Sequence, residues 1–367
     1  MDGIEGKLGV LPVGAVVAIP VQNEVDRIGG CLAALAQQEG AGPFAVVLLV
    51  NNTTDGTAEL IRSLQPVLPY QVTMVEHEFP PELRSAGHAR RMVMSIAAMQ
   101  ATEGAALLCT DADGQVAPDW LANNLRHLRA GADAVAGRIT VDPIEAALIP
   151  QHLHDADAQE CAYADLLDEL DSLMDPDPAD PWPRHTEHSG ASICVTLDAF
   201  RQAGGIPAIP AGEDRAFFDA LRRVDARIRH ARDVVVTVSG RLQGRAKGGM
   251  ADTIRRRMVK PDQYLDDRLE PADAAWRRLS LRRNLRQAHA RGINLHRVLS
   301  GLCDPADIRR WSAMQRFGAL WAEVQAKVPD LRRQLVPVKD LPAQMARAAY
   351  LRGVLQHRRT GAALPVS

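Results

Sequence analysis

Residues 15–24 read AVVAIPVQNE, an unbroken apolar run that stops at the polar triplet Gln22-Asn23-Glu24. A continuous apolar run, rather than an alternating one, marks a strand buried on both faces. The same arrangement recurs downstream. Residues 45–50 run into NNTTDGT at 51–57, and residues 105–109 run into TDADG at 110–114. Segments 72–75, 134–139, 191–198 and 234–238 read as further strands. Helical spacings separate the earlier ones: Ile28, Leu32 and Leu35; Ala58, Ile61 and Leu64; Met92, Ile96 and Met99; Leu121, Leu125 and Leu128. Strands alternating with helices predict an α/β fold, a Rossmann-like and mostly parallel sheet flanked by helices.

The alternation breaks after Val141. An acidic insert over about 142–186 predicts one helix around 160–173, then DPDPADPWPRH, which is too rich in proline to be helical. Residues 213–224 predict a helix. From Asp252 onward the chain is rich in Ala, Leu and Arg, which predicts an α-helical C-terminal region. The expected domains are 1–250, insert included, and a basic helical region over 251–367.

The chain has 367 residues, 46% hydrophobic and 24% charged, which excludes a disordered chain, a collagen and a coiled-coil rod. The longest apolar run, 44–50, falls short of the ~20 residues a membrane helix needs. The opening MDGIEGKLGV lacks the basic and apolar regions of a signal peptide, so a cytoplasmic location is expected. Five scattered cysteines without a C-x-x-C pair predict reduced, buried thiols. The net charge of −2 hides a division: residues 253–367 hold 23 Lys+Arg against 10 Asp+Glu, so the remainder carries −15. Residues 142–180 alone hold 12 Asp+Glu and no Lys or Arg. Aromatic residues in the basic tail are too sparse for a base-stacking platform, so no nucleic-acid partner is expected.

Three polar segments at strand ends share one edge of the predicted sheet, where open α/β sheets bind ligands. Asp111-Ala112-Asp113-Gly114 offers two carboxylates. If the strand geometry continued they would share a face, and they suit a hard cation such as Mg²⁺ or Mn²⁺. A simple Asp/Gly turn is the ordinary structural reading. Glu213-Asp214 opens an amphipathic helix and reads either as an acidic first turn favoured by the helix dipole or as a general base. Arg241, Arg245 and Lys247 lie in a glycine-rich stretch whose cations suit phosphate oxygens. His185 and His188 in PRHTEHSGAS read as a loop touching a polar substrate rather than as a metal site.

Taken together over about residues 14–250, these motifs resemble the inverting glycosyltransferases of family 2, with the GT-A fold. VVAIPVQNE is similar to the family's opening VVIPxYNE, NNTTDGT to its DDGSTDGT loop, and GHARR at 87–91 to its GxxxARN segment. DADG resembles its DxD element, SGASICVTLDAFRQAGGIP its acceptor-side strand and turn, and GEDRAFFDALRR its ED motif. By position, the resemblance implies that Pro20, Gln22, Glu24 and Asn51 line the nucleotide and that Arg90 lies near the base or phosphates. It implies that Asp111 touches the ribose or the metal, that Asp113 binds the metal directly, that Asp214 is the base supported by Glu213, and that His188 and Gly190 border the acceptor. Arg241 and Arg245 would assist the diphosphate. Asn51 stands where the family usually has Asp, and Val21 where it has an aromatic residue. The missing Q-x-x-R-W motif and membrane helices imply non-processive transfer of one hexosyl or N-acetylhexosaminyl unit. The expected donor is a nucleotide-diphosphate sugar, UDP-type, and the acceptor an unidentified hydroxyl; a homodimer is left open. The competing readings are a sugar-phosphate nucleotidyltransferase, which usually has a basic glycine-rich loop near the first strand, and a non-catalytic nucleotide-sugar-binding scaffold.

Overall fold

The computed structural model describes residues 9–242, 244 and 249–360. These described residues form two compact units: those within 9–148, 186–222 and 226–255 group in the first, and those within 149–185, 223–225 and 256–360 in the second.

The first unit holds the whole sheet. Its strands are β1 (Ala15–Val21), β2 (Phe44–Asn51), β3 (Gln71–His77), β4 (Ala106–Cys109), β5 (Gln115–Val116), β6 (Ala134–Val141), β7 (Ile193–Thr196) and β8 (Ile228–Val238). Their spatial order is β3-β2-β1-β4-β7-β6-β8-β5. The half built from β1 to β4 is parallel. The sheet is mostly parallel, as expected, with β6 also parallel to β8; the exceptions are β7, which runs antiparallel to both β4 and β6, and the short β5, which pairs antiparallel with β8. Residues 111–114 do not continue β4. Gly114 N donates to Asp111 O at 3.0 Å, closing the turn that is one of the two readings of this segment.

The continuous apolar runs are explained by two cores, one on each face of the sheet. Val17 and Ile19 of β1, Leu48 of β2 and Leu108 of β4 face one core, with α1 (Ile28–Ala36), α2 (Thr57–Leu64) and Trp120 of α4 (Trp120–Arg129). Their neighbours Val16, Ala18, Val47, Leu49 and Leu107 face the other, with α3 (Ala86–Gln100) and Phe217. Pro20 is tolerated in the central β1 because pairing with β4 ends at Ala18↔Cys109. Thr110 N donates to Ala18 O, so two residues further on the same side there is no partner left to lose. The remaining helices of this unit are α5 (Pro143–Ala146), α7 (Leu197–Gln202) and α8 (Glu213–Arg223).

The second unit contains α6 (Gln151–Met174), longer than the helix expected there, together with α10 (Ala272–Ala290), α11 (His296–Leu299), α12 (Pro305–Ser312), α13 (Phe317–Lys327) and α14 (Leu341–Thr360). The division runs through α9 (Met250–Val259). Residues 149–185 of the acidic insert, reckoned within the first domain from the sequence, thus group with the basic C-terminal helices, while 142–148 stay with the sheet. Tyr163 and Leu170 of α6 share a core with Leu279 of α10 and Leu351 and Leu355 of α14. Around it Arg282 grips Asp171 and Asp175, Arg352 pairs with Glu169 at 3.1 Å, and Arg257 with Glu160 at 3.4 Å. Trp311 anchors a second core in this unit with Leu285 and Leu320. Among the described residues, no helix is long and apolar enough to cross a membrane.

Candidate active site

The polar ends of β1, β2 and β4 meet at the carboxyl edge of the parallel half-sheet. The loop after β1 is held by Asn23, whose φ of 52° lies in the left-handed region that Asn tolerates. Its Oδ1 accepts from Thr54 N at 2.8 Å, and Glu24 N donates to Thr57 Oγ1 at 2.9 Å. NNTTDGT thus serves as a clamp on the first loop as well as the cap of α2. Asn51 is buried at the end of β2, and Asn52 is locked to the backbone of Phe79 through both side-chain atoms at 3.0 and 3.1 Å. Pro20 and Gln22 lie half-buried along the same edge.

Arg90 of α3 is buried at the centre of the site. Its Nε donates to Glu213 Oε1 at 2.8 Å, and its Nη1 to Asp111 Oδ1 at 3.0 Å and to Gly190 O at 2.9 Å. Burial works against its charge, but Asp111 and Glu213 outweigh burial and hold the guanidinium protonated well above its ordinary range. Arg90, expected near the base or phosphates, donates through Nε and Nη1 to protein groups and so ties the DADG turn to the ED motif. Gly190 completes the link, because its N donates to Asp214 Oδ2 at 3.0 Å. A Cβ at Gly190 would lie 2.2 Å from the Arg90 guanidinium carbon, so only glycine lets this arginine pass. Gly87, one turn before Arg90, is needed for a similar reason: a Cβ there would meet Ile209 O at 2.0 Å, ahead of α8.

The turn points its two carboxylates to different partners, Asp111 to Arg90 and Asp113 to Arg241. Arg241 binds Glu24 with both terminal nitrogens, at 2.7 and 2.5 Å, and reaches Asp113 Oδ2 at 3.2 Å. Burial, with Asp111 and Glu24 nearby, pushes the Asp113 carboxyl up to about 6, against the pull of Arg241. Excess negative charge on hard oxygens fits a divalent cation held through one or two carboxylates, with phosphate oxygens and water completing the shell. Among the described residues, no group of three metal-ligating side chains stands ready-made. Arg245 lies outside the described residues.

Asp214 sits half-buried in the first turn of α8, Oδ1 accepting from Arg215 N at 2.7 Å. His188 stacks on Phe218 with ring centroids 4.4 Å apart, and its Nε2 meets His230 Nε2 at 3.0 Å and Arg222 Nη2 at 2.9 Å. The structure therefore brings the predicted residues into two bonded groups that meet at the DADG turn: Arg90 with Asp111, Glu213, Gly190 and, through Gly190, Asp214, and Arg241 with Glu24 and Asp113; His188 packs on the aromatic face of α8.

Sequence reading missed Glu145. It accepts from Ser239 Oγ at 2.8 Å and Gly240 N at 2.6 Å and pairs with Arg27, which fixes the backbone just before Arg241. Nothing in the local pattern of the acidic insert marks it, since Ser239 and Gly240 lie 94 and 95 residues away. The cysteines are free; burial pushes the Cys109 thiol up to about 11, so it is inert as a nucleophile.

Residues 16–169 match the family model described as glycosyl transferase family 2. A comparison with curated proteins finds no match. Among solved structures, the chain is similar to the mannosyltransferase PcManGT from Pyrobaculum calidifontis in complex with GDP-Man and Mn²⁺, at 19% identity. That alignment covers 98% of this chain and 79% of the other, with a TM-score of 0.44. It is also similar to S. aureus TarS 1–349 in complex with UDP, at 15% identity, covering 97% and 94%, with a TM-score of 0.44.

Proposed function

We propose, for a chain that belongs to glycosyl transferase family 2 through residues 16–169, that this glycosyltransferase moves one sugar from a nucleotide-diphosphate donor to a hydroxyl acceptor. Transfer is metal-dependent and non-processive, it inverts the anomeric carbon, and the donor is UDP-type. The observation that carries this reading is the bonding of Arg90 to Asp111, Glu213 and Gly190 O at once. It couples the turn that would face a diphosphate to the helix start that bears a candidate base.

The donor nucleotide would lie along the ends of β1 and β2, against Pro20, Gln22 and Asn51. Asp113 and Asp111 would hold Mg²⁺ or Mn²⁺, whose chemistry when bound is to neutralise charge on a departing diphosphate. Arg241 presents a planar fork suited to phosphate oxygens. On the other side, Gly190 N–H fixes one oxygen of Asp214, and the carboxylate keeps lone pairs for a proton. Asp214 takes that proton from the acceptor hydroxyl as its oxygen attacks the anomeric carbon. The attack comes from the face opposite the diphosphate, so the C–O bond to the sugar forms as the bond to the leaving group breaks. Glu213, held by Arg90, sets the start of α8 and with it the aim of Asp214.

Asp214→Asn keeps the shape and removes the proton acceptor. Turnover is expected to fall by about 10²–10⁴, while stabilisation by nucleotide diphosphate plus Mn²⁺ stays unchanged. Near-normal turnover of the Asn variant, or a product that retains the donor's anomeric configuration, overturns the assignment.

A further inference from the structure

Two ion-paired clusters meet at the ends of β1 and β4, Arg90 with Asp111 and Glu213 and Arg241 with Glu24 and Asp113, so that four carboxylates there face two guanidiniums. With all six ionised, they carry two surplus negative charges. The two arginines are held differently. Arg90 rises from the middle of α3 and is buried. Arg241 belongs to no helix or strand, and its N donates to Ser239 Oγ at 3.2 Å. Its guanidinium nevertheless lies directly on Asp113 Oδ2 and on both oxygens of Glu24.

We propose that Arg241 is a resident cation of the Asp113 site: it opposes metal loading while the donor is absent and releases Asp113 when diphosphate oxygens draw the guanidinium away. Metal and nucleotide then load together. The inference rests on the function proposed above. A guanidinium 3.2 Å from a carboxylate oxygen and a divalent cation on the same carboxylate repel each other. The guanidinium fork fits phosphate as well as carboxylate, so a diphosphate offers Arg241 an equivalent partner. Glu24 is buried and cannot be left without a counter-charge. Two charges on the metal, in place of one on the guanidinium, supply it. By linkage, whatever nucleotide does for metal affinity, metal does for nucleotide affinity.

The test is Mn²⁺ titration of wild type and Arg241→Gln, followed by the electron paramagnetic resonance of free Mn²⁺. It is run first with Mn²⁺ alone, then with saturating UDP or GDP. Arg241→Gln is expected to bind Mn²⁺ alone about tenfold or more tighter than wild type, and the tightening produced by nucleotide is expected to shrink by a like factor. Direct contact between metal and phosphate tightens binding in both proteins; only the contribution of Arg241 separates them. Equal or weaker affinity of Arg241→Gln for Mn²⁺ alone overturns the proposal. Circular dichroism checks the fold. Should the single variant not fold, the double variant Arg241→Gln/Glu24→Gln removes the buried pair together and, measured against Glu24→Gln alone, carries the same expectation. If nucleotides tighten Mn²⁺ binding but the variants shift nothing, this inference fails and the proposed function stands. If neither nucleotide affects wild type, the proposed function itself fails.

Discussion

Gly190→Ala tests the centre of the site with one methyl group. The backbone at Gly190 is not in the left-handed region, so the substitution carries no conformational penalty of its own. The cost is steric. The new Cβ would lie 2.2 Å from the Arg90 guanidinium carbon, where ordinary contact begins at 3.4 Å, so the guanidinium must retreat by about 1.2 Å. Its bonds to Glu213, Asp111 and Gly190 O are 2.8–3.0 Å long, and a movement of that size breaks at least one of them. Each hydrogen bond to a charged group contributes about 1.5–3 kcal/mol, and overpacking adds about 1–3 kcal/mol. A loss of roughly 3–5 kcal/mol is expected, or a fall in Tm of about 6–20 °C for a unit of this size. Turnover should fall as well, since Gly190 N also holds Asp214. The assay is thermal unfolding and single-turnover kinetics of Gly190→Ala, Arg90→Lys and the double variant. Because both changes act on one contact, their effects should be strongly non-additive. A Tm within 1 °C of wild type together with full turnover, or simple additivity of the two changes, would refute the reasoning.

Asp113→Asn should stabilise the metal-free protein at pH 7–8 by about 1–3 kcal/mol. The folded carboxyl is raised to about 6, so ionising it above that pH costs stability; the advantage of the variant should vanish by about pH 4, and its stabilisation by Mn²⁺ should be lost. Urea titrations at both pH values measure this. Arg282→Gln should destabilise by about 3–5 kcal/mol at pH 7, because it strands buried carboxylates. Burial pushes Asp171 up, but Arg282 and Arg184 outweigh it and hold the carboxyl below its usual value. That contribution is present above the unfolded pKa near 3.9 and is lost as pH falls through the lowered folded value, so the deficit should close in acid. Glu145→Gln should weaken binding of nucleotide diphosphate with Mn²⁺, read by thermal shift, through looser placement of Arg241. An unchanged shift would disconnect Glu145 from the site.

Strands β1, β2 and β4 of the parallel half-sheet were legible in the sequence, because a strand with helices on both faces is apolar almost throughout. Val16 and Val17 face opposite cores, yet both are fully buried. The polar strand ends were legible for the complementary reason: a chain leaving the core changes composition abruptly. Strand direction was not. A four-residue apolar strand such as β7 reads the same either way, and only its pairing with β4 and β6 reveals the reversal. The DADG segment offered both a turn and an extended pair, and the Gly114–Asp111 bond chose the turn. The opposite charges of the insert and the tail were plain, but not that α6 and α10 would spend them on each other. The role of Arg90 lay furthest from view. Its partners Glu213 and Gly190 are 123 and 100 residues distant. Such contacts are set by which helix crosses which strand end, and composition and spacing record only which residues are available to meet.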